Sequence, residues 1–149
     1  MTGHGNESDG GRIRRAPVTL GRMEILVQAH SGLRWLVVLA LIATAIIGFT
    51  RASRADAPTD RWLQWVAILF DIQVTIGVVL YLFNQGWEQG GFIAYFHPIG
   101  MIAAVAVFHM GLGRGRKAAG DDGWRTIGVM TLLSLVLVIA AIPWQRGMF

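Results

Sequence analysis

The chain has 149 residues, room for one domain; 54% of them are hydrophobic and only 15% are charged, against about 25% in ordinary soluble proteins. With a mean hydropathy of +0.50, that composition points to an integral membrane protein. There is no cysteine, which excludes disulfides, zinc–thiolate sites and iron–sulfur clusters. The net charge of +4 lies on arginines that flank apolar runs, which assigns it to membrane orientation and lipid headgroups and not to nucleic acid.

Residues 1–22 are polar and glycine-rich and lack the apolar stretch of a signal peptide. They read as a flexible basic tail, whose Arg12, Arg14, Arg15 and Arg22 face lipid headgroups or a partner subunit. Residues 23–149 read as one transmembrane domain. Its first span, about 25–50, opens with Q28-A-H-S-G-L-R-W35. His30 and Arg34 are four residues apart and share a helix face. Arg34 sits a turn deeper, and helical side chains lean toward the N-terminus, where His30 already fills the turn. A charge there needs an anion. A cofactor carboxylate would serve, and so would Asp71 or Glu24.

The second span, about 62–83, holds Asp71 near its middle in L69-F-D-I-Q-V-T75. An intramembrane carboxylate is a functional candidate by default. It is protonated, paired within the bundle, or part of a proton relay. Gln73 lies about 160° round the helix from it, so the two need different partners. The third span, about 94–112, opens with Y95-F-H-P-I-G100. Pro98 suits the first turn of a helix, which places His97 at the helix start. His109 lies about 18 Å farther along the axis. It reads as a hydrogen-bonded interfacial histidine; the competing role is a second haem ligand paired with Met130. The fourth span is about 124–143.

Four spans with short loops specify an all-α, up-down-up-down four-helix bundle. The side holding loops 51–61 and 114–123 carries Arg51, Arg54, Arg61, Arg114, Arg116, Lys117 and Arg125. The loop 84–91 has no basic residue, so the positive-inside rule places the basic loops in the cytoplasm. The chain also echoes itself: a histidine, an apolar helix, a basic loop, an acidic–tryptophan entry and a second helix occur twice. That pattern is what two repeated helical hairpins would leave.

Helices one and three run the same way, so His30 and His97 lie at matched depth on diagonal helices. Bis-histidine haem ligation needs that arrangement. Gly32 and Gly100, each within three residues of one histidine, leave room for a flat group or for close helix packing.

The set H30-S-G-L-R-W35, D71-I-Q73, Gly77, L80-Y81, F96-H-P98 and I142-P-W144 resembles small bacterial four-helix membrane proteins of the cytochrome b type, over roughly residues 25–146. The resemblance implies a haem b between His30 and His97 and electron exchange with quinol or other membrane redox subunits. It implies the bacterial inner membrane as location. Arg34 is then the propionate partner. Di-haem members need four ligand histidines; this chain has three in its spans, which limits the expectation to one haem. The alternative is an accessory subunit of a respiratory or photosynthetic complex, with no activity of its own. A small transporter or proton-handling protein built on Asp71 and Arg34 is a third reading. No nucleophile elbow, phosphate loop or metalloprotease helix is present, so an electron carrier or complex subunit is favoured over a stand-alone enzyme.

Overall fold

A computed structural model of the chain describes residues 18–54, 58, 61–118 and 122–144. The described residues are helical, with no strand among them. The helices are α1 (Val18–Thr50), α2 (Arg61–Phe83), α3 (His97–Lys117) and α4 (Asp122–Ala141). A short 3₁₀ turn, Gly86–Glu88, and a π-helical turn, Phe92–Phe96, join α2 to α3. Four stretches are long and apolar enough to cross a membrane: Met23–Thr50, Arg61–Phe83, Phe92–Lys117 and Asp122–Ala141.

Of the tail expected at 1–22, residues from Val18 on are helical and belong to α1; residues 1–17 lie outside the described residues. Hydropathy marks the lipid-facing window, whereas backbone hydrogen bonding carries a helix past it. For the same reason α3 continues through Arg114, Arg116 and Lys117, well beyond the expected end at 112. Those cations sit in its last turn, where they favour the carbonyl end of the helix dipole.

The helices pack antiparallel in chain order, and α4 closes the ring against α1. Gly48, late on α1, meets Gly128, early on α4, and Gly100 and Gly115 of α3 meet Ala141 and Ile127 of α4. Gln73 of α2 reaches the His30 carbonyl of α1, and Asp71 of α2 reaches His109 of α3. Helices α1 and α3 are therefore diagonal, and the topology is up-down-up-down. The two hairpins pack unequally. Gly100, Gly111 and Gly115 bring α3 within side-chain contact of α4 along its length, while α2 joins the core through Leu63, Ala67 and Phe70 in its first half and reaches α1 and α3 beyond them through Gln73 and Asp71.

The core fills one end of the bundle. Buried residues run from Val37 to Gly48 on α1, from Leu63 to Gln73 on α2, and from Ala104 to Gly115 on α3. Helix α4 is buried along one stripe from Gly123 to Ala141, at spacings of three and four residues. Val38, Leu41, Phe70, Phe108, Trp124 and Ile127 meet there. In a bilayer such a core is held by close packing and interhelical hydrogen bonds, since lipid tails are as apolar as leucine. Ser134 of α4 makes such a bond to the Ala104 carbonyl of α3 at 2.8 Å, and the buried Thr44 hydroxyl donates within α1 to the Ala40 carbonyl at 2.7 Å. The loops seal this end. The Arg51 guanidinium lies 4.8 Å from the Trp124 ring centre, and Pro58 packs on Gly123. At the opposite end, the first half of α1, the second half of α2 and the start of α3 contribute no fully buried side chain to that core. His30 and His97 lie at this open end.

Candidate functional site

All four helices build the surroundings of the two histidines. On α2, Gln73 and Gly77 are one turn apart and face α1. The Gln73 side-chain amide donates to the His30 carbonyl at 2.9 Å. A Cβ added at Gly77 would lie 2.9 Å from His30 Cε1. The amide thus clamps the α1 backbone, and the glycine makes room for the imidazole edge.

His97 is held differently. Its expected place at the start of a helix holds: His97 is the first residue of α3, with Pro98 in the first turn, and the helix is entered through the π turn, the His97 N–H bonded to the Phe92 carbonyl. Pro98 is the cause. It has no N–H to offer the Ala94 carbonyl one turn back, and its ring crowds that carbonyl in a regular α-helix. A wider π turn relieves the crowding, and the Tyr81 hydroxyl donates to the Ala94 carbonyl at 3.0 Å. Gly86 lies against the Tyr81 ring, where a Cβ would overlap it.

The His97 ring is fixed from α4. Its Nδ1 lies 2.8 Å from the Ala141 carbonyl oxygen, one of the last carbonyls of α4, with Pro143 close behind. A helix-end carbonyl only accepts. Nδ1 therefore carries the proton and donates it, which leaves the Nε2 lone pair of neutral His97 available to a ligand or metal. Gly100, one turn on, packs against Ala141 as well, so backbone and ring of this turn rest on the same residue.

The two imidazoles come together, with ring centres 6.2 Å apart and planes at 85°. His30 Nδ1 is buried with no close hydrogen-bond partner among the described residues, and the ring interacts with the Gln73 backbone carbonyl. Arg34 lies one turn nearer the core than His30, its guanidinium carbon 5.2 Å from the Trp35 ring centre. Comparison with family models, with curated proteins and with solved structures returns no match.

Asp71 departs from one of its expected pairings. It does not meet Arg34; its Oδ1 is 2.8 Å from His109 Nε2, and both side chains are about half exposed. Gln73 and Gly77 face α1, which turns Asp71 outward toward α3. His109 is thus the hydrogen-bonded histidine expected, while Met130 packs on Gly111, between α3 and α4. The pair borders a groove of about 280 Å³ lined by Gln64, Ala67, Ile68, Leu112, Gly113 and Arg116, well away from His30 and His97. Of the two glycines flagged beside the histidines, Gly100 is used in packing, whereas a Cβ at Gly32 would meet nothing.

Sequence reasoning missed Tyr81, Gly86 and Ala141 as supports of His97. One signal was available: the carbonyl four residues before Pro98 must find a donor other than the proline. Tyr81→Phe removes that donor. It is expected to cost about 1–2 kcal/mol and to disturb the signals of the His97 imidazole in ¹⁵N NMR. A His97 spectrum unchanged by Tyr81→Phe would show that the π turn stands without this bond.

Proposed function

We propose that the protein spans a bilayer four times and serves electron transfer: His30 of α1 and His97 of α3 would hold the iron of one b-type haem between them. The observation that supports this best is the 6.2 Å separation of the two ring centres. Two metal–imidazole bonds of about 2 Å each put the ring centres roughly 6 Å apart when both nitrogens face one ion. The donor chemistry fits too: His97 presents Nε2 with its other nitrogen bonded to a carbonyl, the outer-shell arrangement usual for ligating histidines. A bound haem supplies a one-electron iron couple.

The chain's own groups have separate tasks. Gln73 and Gly77 seat His30; Ala141, Tyr81 and the π turn seat His97; Arg34 supplies the cation for a propionate, bidentate where geometry allows. The aromatic side chains Phe83, Phe92, Tyr95 and Phe96, all well exposed around the open end, suit an interfacial belt. This arrangement agrees with the resemblance to small cytochrome b-type membrane proteins, with quinol or a membrane redox subunit as electron partner.

One observation favours the second reading, a subunit of a larger membrane complex. The Asp71–His109 pair lies on the outer surface at mid-span, roughly 15 Å from the start of α2. Facing lipid, such a pair is costly; a neighbouring helix would cover it.

The deciding experiment is a dithionite-reduced minus oxidised spectrum of protein purified in mild detergent after expression with ample haem. A b-type band is expected, and its absence sinks the haem reading. Topology is tested separately, because the native chain has no cysteine. Ser53→Cys is expected to label only from the cytoplasmic side and Glu88→Cys only from the other. Labelling of both positions from one side refutes the arrangement.

A further inference from the structure

Asp71 and His109 form an acid–base pair, 2.8 Å apart, with both side chains about half exposed. We propose that this face of α2 and α3 is where a second copy of the chain packs, related by a two-fold axis along the membrane normal. The inference rests on the bilayer-spanning reading and not on the haem. The pair sits about 12–15 Å inside the nearer ends of α2 and α3, at 1.5 Å per residue. A polar pair that faces lipid at that depth is costly and calls for a partner.

The chemistry of the pair says which partner fits. A net charge is costlier in lipid than a neutral pair, so the pair is neutral as a whole. In that state one proton lies between Asp71 Oδ1 and His109 Nε2, and a second lies on His109 Nδ1, whichever atom holds the first. One N–H donor, at Nδ1, and one acceptor, Asp71 Oδ2, are then spare. Among the described residues neither has another partner. A donor and an acceptor side by side are self-complementary. Copies of one topology in one bilayer are related by rotation about its normal, which brings each residue to its own depth in the second copy. With the axis beside the pair, the Nδ1–H of each copy meets the Oδ2 of the other. A closed two-fold contact uses the same patch on both chains in this way. A foreign helix would need a matching donor and acceptor at this one depth; a second copy has both.

The surrounding surface admits a close approach. The groove beside the pair holds about 280 Å³ and includes Ala67 and Gly113 in its lining. Small residues let membrane helices come near, and a Cβ at Gly113 would meet nothing within 4 Å. Ile68 and Ile72, both more than a third exposed, flank Asp71 with apolar side chains. Arg116, at the lip of the same groove, lies about 10 Å nearer the helix end than His109. At headgroup level its charge stays hydrated beside that of the second copy.

The test uses the full chain in lipid vesicles, with one fluorophore on Ser53→Cys, since the native chain has no cysteine. Bleaching steps per particle are counted as lipid is added. Two-step particles above chance co-occupancy are expected, giving way to single steps on dilution. Asp71→Leu combined with His109→Leu removes the polar pair without stranding either member. An interhelical hydrogen bond in lipid is worth about fivefold and the axis repeats it, so this variant is expected to dimerise roughly thirtyfold more weakly. Gly113→Leu is expected to lower the dimer fraction with thermal unfolding of the monomer unchanged, because its side chain starts in open space. Single steps at every lipid ratio in the otherwise native chain overturn the inference and leave the topology standing. Two-step particles that survive both variants place the contact elsewhere and overturn it as well. A chain that does not enter vesicles overturns the bilayer-spanning reading itself.

Discussion

His97→Ala is expected to leave the purified protein without b-type absorption, while His30→Ala keeps a band of altered position and lower occupancy. Both variants remove one imidazole, so a symmetric pair would give equal losses. The structure makes them unequal. At His97 the substitution deletes the nitrogen whose orientation is set by Ala141, and it also strands that carbonyl at the end of α4. An unsatisfied buried acceptor costs about 1–3 kcal/mol. At His30 it deletes a ring whose carbonyl partner, that of Gln73, lies in mid-helix and keeps its bond within α2, and the Gln73 clamp on the His30 backbone carbonyl survives. The measurement is haem per protein chain together with helix content by circular dichroism, so that a misfolded variant is not scored as a ligand loss. Equal retention of the band in both variants would refute the assignment of this pair.

Much of the architecture was legible in the sequence. The four apolar runs required helices, and their parity put His30 and His97 on diagonal helices at one end. Helical geometry also separated Asp71 from Gln73, and the structure places them on different faces with different partners. The rest depends on how each helix is rotated about its axis. These helices are apolar nearly all round, so no amphipathic stripe marks the inward face. Hydropathy therefore could not reveal that Gly48 meets Gly128, or that Ala141 receives the His97 ring. The Asp71–His109 bond was missed for another reason. Asp71 was read as paired within the bundle and His109 as a hydrogen-bonded histidine, and both hold; that they are each other's partner went unread, although both lie at comparable depth on adjacent antiparallel helices.

One added methyl group is expected to act oppositely at two glycines. In a helix, Gly→Ala alone stabilises by up to about 1 kcal/mol, so any loss reflects what the new Cβ meets. At Gly48 it would lie 2.5 Å from Gly128 Cα and 2.6 Å from Gly128 N. Backbone cannot step aside as a side chain can. Helices α1 and α4 must separate, disturbing the packing around Leu41, Thr44 and Thr131, all almost fully buried. Overpacking of this kind costs about 1–3 kcal/mol, occasionally more, and outweighs the propensity gain. At Gly77 the new Cβ would lie 2.9 Å from His30 Cε1, with the next ring atoms at 3.6 and 3.7 Å. The imidazole edge can yield by a few tenths of an ångström. Gly77→Ala should therefore melt within about 1 kcal/mol of wild type, yet change the haem band or its occupancy. Gly48→Ala should melt early while any folded fraction keeps the wild-type band. Thermal unfolding in detergent, followed by circular dichroism and by Soret absorbance on one sample, separates the two effects. If Gly77→Ala leaves the spectrum untouched, the imidazole it presses on is not a ligand.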